Sequence, residues 1–105
     1  MKTHILKLKN DGKKNTYCLM NISTSDDFNI VAEILKNKFH AKFIEKLGAI
    51  WAYGEKYEYQ GKYFILGIED DIDCYLEATN KESPSEDETW LVQLVESLVN
   101  EINNR

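Results

Sequence analysis

The densest group of chemically capable side chains in this 105-residue sequence is acidic: Glu69, Asp70, Asp71 and Asp73 stand almost side by side, with Glu77 shortly after. Clustered carboxylates are the ligands that hard cations such as Ca²⁺ and Mg²⁺ take. A calcium loop also needs a glycine at its sixth position and oxygen ligands at alternating places. Here Tyr75 and Leu76 continue a strand-like alternation instead, so neither a metal nor a cofactor is expected. Nucleophiles are as scarce. His4 and His40 are the only histidines, and Cys18 and Cys74 the only thiols. No serine sits in a Gly-x-Ser-x-Gly elbow, no cysteine lies in a local catalytic signature, and the five glycines are scattered rather than gathered into a phosphate loop. His40 falls near the end of an expected helix, where it complements the negative pole rather than serving as a base. The chain does not read as an enzyme. Each cysteine lies inside an apolar run, far from the other, which fits reduced, buried thiols better than a secreted disulfide framework.

The remaining functional signal is aromatic. Trp51, Tyr53, Tyr57 and Tyr59 fall on one face of a strand, and Tyr63 and Tyr75 lie on its neighbours. Burial under a helix is the simpler fate for Trp51 and Tyr53. Tyr57 and Tyr59 are balanced between core and surface, because Glu55 shares their face and argues for nearby solvent. Exposed tyrosines supply binding energy at low entropic cost and are enriched at protein interfaces. An RNA-binding sheet would need basic residues beside its aromatics, and Lys56 and Lys62 are too few.

Charge sharpens this reading. The formal net charge is −5, unevenly spread: residues 1–62 hold 11 lysines against 7 acids, whereas residues 63–105 hold only Lys81 and Arg105 against 11 acids. Phosphate binding relies on Lys and Arg, so no nucleic-acid partner is expected. The start of the chain, Met1-Lys2-Thr3-His4-Ile5-Leu6-Lys7, is interrupted by lysines and lacks a signal-peptide core. No run approaches the roughly 18 apolar residues of a membrane span. A cytoplasmic protein with no membrane partner is the expectation.

The elements that must position these residues are legible from periodicity. Strands over 3–9 and 15–22 flank Asn10-Asp11-Gly12-Lys13, a hairpin signal. Ser23-Thr24-Ser25-Asp26-Asp27 suits a helix start, and Phe28, Val31, Ile34, Leu35 and Phe39 recur at helical spacing over about 26–39. From Phe43 to Ala78 the period becomes two. A short strand over Ala41 to Leu47, broken by Gly48, is followed by strands over Ile50 to Tyr59, Lys62 to Glu69 and Ile72 to Ala78. Gln60-Gly61 and Glu69-Asp70-Asp71 form the turns. In the last strand Ile72, Cys74, Leu76 and Ala78 point inward while Asp73, Tyr75 and Glu77 point outward. Ser83, Pro84 and Glu86 then read as N-cap, first helical position and capping box of a helix over about 84–103. Its apolar stripe is Trp90, Leu91, Leu94, Val95, Leu98 and Ile102. The order β-β-α-β-β-β-β-α predicts one α+β domain over 1–105: an antiparallel sheet of five to six strands with both helices on one face.

In size, acidity, single-domain build and lack of catalytic motifs, the chain resembles the small acidic immunity proteins of bacterial toxin systems, including contact-dependent inhibition. The resemblance implies a protein partner, a toxin that is often a basic nuclease, whose active site the acids would block. The partner-binding residues expected on this reading are Glu69, Asp70, Asp71, Asp73, Tyr75 and Glu77, with Tyr57 and Tyr59 at the rim. The alternative is a structural or self-associating domain that dimerises through an edge strand or through Val92 and Val99 on the last helix.

Overall fold

The computed structural model describes residues 2–10, 14–49, 52–69, 72–79 and 88–105. It contains β1 (Ile5–Asn10), β2 (Lys14–Leu19), α1 (Ser25–Lys38), β3 (Lys42–Ala49), β4 (Ala52–Tyr59), β5 (Lys62–Glu69), β6 (Ile72–Ala78) and α2 (Thr89–Asn103). The strands form one six-stranded antiparallel sheet in the order β1-β2-β6-β5-β4-β3. The chain is α+β, as periodicity predicts. The β3–β6 meander is closed onto the first hairpin by β6 pairing with β2, through Tyr17↔Leu76 and Cys18↔Tyr75.

Turn chemistry sets several element ends. Gln60 and Gly61 both take positive φ, 53° and 79°, and so join β4 to β5 by a two-residue loop whose twist matches the strands. β2 stops at Leu19 rather than continuing to 22, because Asn21 takes φ 72° and turns the chain toward α1. Thr24 Oγ1 then accepts from the Asp27 N–H at 3.1 Å, capping α1, while Asp26 and Asp27 lie near its positive pole and Lys36 and Lys38 near its negative one. His40, with φ 59°, reverses the chain into β3, and the Ala41 N–H donates to the Leu35 carbonyl at 3.0 Å.

Other element boundaries also differ from expectation. β3 runs through Gly48 to Ala49, because Gly48 is paired with Tyr53 in the ladder. β1 begins at Ile5 rather than residue 3. The Thr3 backbone is occupied elsewhere: its N–H donates to Asn103 Oδ1 at 2.8 Å, and its carbonyl accepts from Asn103 Nδ2 at 3.0 Å. The last helix begins at Thr89, and Glu88, inside the span of about 84–103 expected to be helical, is the non-helical N-cap. The buried Glu88 side chain reaches β2, where it accepts from Asn15 Nδ2 at 2.7 Å. Ser83, Pro84 and Glu86 lie outside the described residues, as do Asp11, Gly12, Ile50 and Trp51.

Both helices pack on one face of the sheet. Phe28, Val31, Ile34 and Leu35 of α1 and Leu91, Leu94, Val95, Leu98 and Ile102 of α2 share one core with Tyr17, Leu19, Tyr57, Phe64, Leu66, Cys74 and Leu76 of the strands. Each fully buried leucine contributes about 2 kcal/mol of transfer free energy before chain entropy is subtracted. No helix among the described residues is long and apolar enough to cross a membrane.

Candidate functional site

Because successive strand residues alternate between faces, the core assignment fixes which side chains occupy the other face. Cys74, Leu76 and Ala78 are buried toward the helices, so Asp73, Tyr75 and Glu77 project to the opposite side, each partly exposed. The same alternation places Tyr63, Ile65 and Gly67 of β5, Gly54, Lys56 and Glu58 of β4, and Cys18 and Thr16 of β2 on that side. Among the described residues, no helix covers it.

The registers of the five strand pairs align one uncharged lane across this outer face. Leu6 lies opposite Cys18, Cys18 opposite Tyr75, Tyr75 opposite Gly67, Gly67 opposite Gly54, and Gly54 opposite Leu47. The two glycines let neighbours lie flat. A Cβ at Gly67 would stand 2.5 Å from Cζ and 2.6 Å from the hydroxyl of Tyr75, so the Tyr75 ring occupies the space above residue 67. The laid-down ring reaches Glu69, whose Oε1 accepts from Tyr75 Oη at 3.1 Å.

Carboxylates border the lane, each held by a neutral donor. Asp73 Oδ2 accepts from the Asn21 N–H at 2.8 Å, and Glu77 Oε1 accepts from Thr16 Oγ1 at 2.8 Å. Among the described residues, none of Glu69, Asp73 and Glu77 forms an ion pair, so their charges are fixed in place without being cancelled. The field shows in their neighbours. Burial, then Glu69 beside it, pushes the Tyr75 phenol well above its ordinary range, and burial, then Asp73 and Glu77, raises the Cys18 thiol. Lys56, the base among these acids, has its ammonium 5.1 Å from the centroid of the Tyr63 ring. The Tyr63 phenol is itself raised by its hydrogen bond to Glu58.

The structure therefore divides the residues expected to bind a partner. Glu69, Asp73, Tyr75 and Glu77 share the outer face. Asp70 and Asp71 lie outside the described residues. Tyr57 is withdrawn from any such surface: it is fully buried on the helix side, stacked on Phe64 with centroids 5.7 Å apart and met edge-on by Phe43 at 5.9 Å. Tyr59 shares that face and packs against the core, so it does not rim the acidic side. Glu55 is partly exposed, as its expected nearness to solvent requires, and it accepts the hydroxyls of Tyr57 at 2.5 Å and Tyr53 at 2.8 Å. Tyr53, expected to be buried, leans on Phe28 at 5.3 Å yet stays 38% exposed. The sequence singles out none of Leu6, Leu47, Gly54 and Gly67 in the lane, and Cys18 only as a buried thiol.

Other chemistry finds little support. Cys18 and Cys74 are free and buried, and burial, with Cys18 and Asp73 nearby, pushes the Cys74 thiol up to about 12, which suppresses the thiolate that a nucleophile needs. Among the described residues, no three His, Cys, Asp or Glu side chains are grouped to hold a metal ion. Comparison with protein-family models, with curated proteins and with solved structures finds no match. The functional reading therefore stands on geometry and charge.

Proposed function

We propose that this chain is a non-catalytic protein-binding domain that acts through the face of its sheet opposite the two helices. The observation that carries the reading is the arrangement of Glu69, Asp73 and Glu77: partly exposed carboxylates, oriented by Tyr75, Asn21 and Thr16 and paired with no base among the described residues. Such an array presents directed negative charge beside apolar and aromatic surface, the composition of an interface for a cationic protein. The best-fitting role is that of an immunity protein, which holds its carboxylates against the basic substrate-binding surface of a nuclease-type toxin in the bacterial cytoplasm. Opposite charge would make association fast and salt-sensitive.

The test is co-expression with the product of the adjacent reading frame. That product should arrest growth alone, co-purify with this protein, and lose both rescue and complex when Asp73→Lys and Glu77→Lys are combined. A stable complex that survives the double reversal would remove the acidic face from the account. A harmless, non-binding neighbour would remove the toxin.

A second reading rests on β3, an edge strand whose Phe43 and Ile44 are 40% and 39% exposed. Pairing of two such edges would give a homodimer. Against it, the ladder is interrupted by a bulge between Phe43 and Glu45, with exposed Lys42 and Lys46 on either side, features that discourage edge-to-edge pairing.

A further inference from the structure

The outer face contains a shallow groove of about 190 Å³ lined by Leu47, Gly48, Ala52, Tyr53, Gly54, Ile65 and Tyr75. Its shape follows from residue choice. Gly54 supplies a floor with no side chain, where a Cβ would lie 3.4 Å from Ile65 Cγ2 and 3.8 Å from Leu47 Cβ. Tyr75 forms a wall because its ring is laid over Gly67 and tethered to Glu69. The lining is apolar, yet carboxylates stand beside it: Glu77 is the cross-strand partner of Ile65, and Glu69 that of Ala52. Lys56, the other partner of Ile65, has its ammonium at the Tyr63 ring.

We propose that this groove is the anchor site of the interface: it takes one aliphatic side chain from a partner segment that carries Arg or Lys on either side. The proposal rests on the protein-binding reading above and specifies the chemistry of the partner at the same face. A buried apolar anchor surrounded by polar contacts is how most interfaces concentrate their affinity. Here the surround is acidic, so charge complementarity selects a cationic segment, and the glycine floor selects a side chain small enough to reach the sheet backbone. An acidic or purely polar segment would leave the groove empty and oppose Glu69 and Glu77.

The experiment follows backbone amide shifts of the full-length labelled protein with three capped tripeptides, Arg-Leu-Arg, Arg-Gly-Arg and Glu-Leu-Glu. Arg-Leu-Arg should shift the amides of Gly54, Ile65 and Gly67 saturably and bind about tenfold tighter than Arg-Gly-Arg, the scale of discrimination an apolar pocket gives. Glu-Leu-Glu should not bind. Gly54→Val should abolish the leucine advantage while leaving the weak Arg-Gly-Arg response. Gly54→Ala, whose methyl meets its neighbours at ordinary contact distance, should reduce the advantage and guards against misfolding of the valine variant. Equal binding of the leucine and glycine peptides, an advantage retained by both variants, or no shift up to the solubility limit would overturn the groove. Asp73→Lys/Glu77→Lys separates the two levels. If it weakens both arginine peptides while they bind equally, the acidic face stands and the groove fails; if it weakens neither, the face reading itself fails.

Discussion

The phenol ring of Tyr75 lies in the space that a Cβ on Gly67 would fill, 2.5 Å from its position, so the two residues act as one unit. A glycine that weakens a strand interior is kept here because its neighbour needs the room. Gly67→Ala should push the end of the Tyr75 ring away from residue 67 and break its bond to Glu69, costing about 1 kcal/mol. In a Tyr75→Ala background the same change should be neutral or mildly stabilising, since alanine is the less flexible residue. Chemical denaturation of the four proteins in this cycle measures the coupling.

Tyr57 should behave as core. Tyr57→Phe leaves the Glu55 carboxylate without one hydroxyl donor and should cost about 1 kcal/mol. Tyr57→Ala also opens a cavity beside Phe64 and Phe43 and should cost about 3–5 kcal/mol. Tyr57→Phe should leave partner affinity unchanged in a titration. A specific loss of affinity at full stability would return Tyr57 to the interface.

Alkaline pH should unfold the protein early. The Cys74 thiol is raised from 9.0 to about 12, and burial raises the Tyr57 and Tyr75 phenols further. For groups whose folded pKa is raised, the unfolded chain loses protons first, so their contribution is intact below the unfolded pKa and lost as pH rises toward the folded one. Stability measured by denaturant should therefore be flat near neutrality with respect to these groups and fall between about pH 9 and 12. Cys74→Ala should flatten part of that fall while lowering stability overall. Native thiols should react slowly with a soluble disulfide at neutral pH, at the rate of protein opening.

The β3 edge should resist pairing with a second copy of the protein. The bulge in β3 and the exposed lysines that flank it make sedimentation at high micromolar concentration report a monomer. A dimer that dissociates on Phe43→Lys would instead favour the self-associating reading.

Much of this fold was legible because its elements carry clean periods. The alternation of Ile72 to Ala78 gave both faces of β6, and the stripe from Leu91 to Ile102 gave the buried side of α2. What local pattern missed was decided by distant partners. Glu88 belongs to a helix start by composition, but Asn15 on β2 holds its carboxylate outside the helix. Thr3 belongs to a strand by pattern, but Asn103 takes its backbone groups. Glu55 marks solvent beside the exposed Tyr53, but its carboxylate also serves as acceptor for the buried Tyr57 phenol. The site was half legible for the same reason. The acids of β6 follow from parity, but the lane from Leu6 to Leu47 exists only once six strands are in register.

The most direct measurement compares two double reversals that change net charge equally. Asp73→Lys/Glu77→Lys alters the outer face of the sheet; Glu33→Lys/Glu96→Lys alters exposed positions on the two helices, across the sheet. With both variants folded, the first should slow association with the cationic partner at least about tenfold at low salt, and the second should change it less than about twofold. Equal effects from the two would reduce the acids to general solubility. Unchanged association for the sheet variant would contradict the proposed interface.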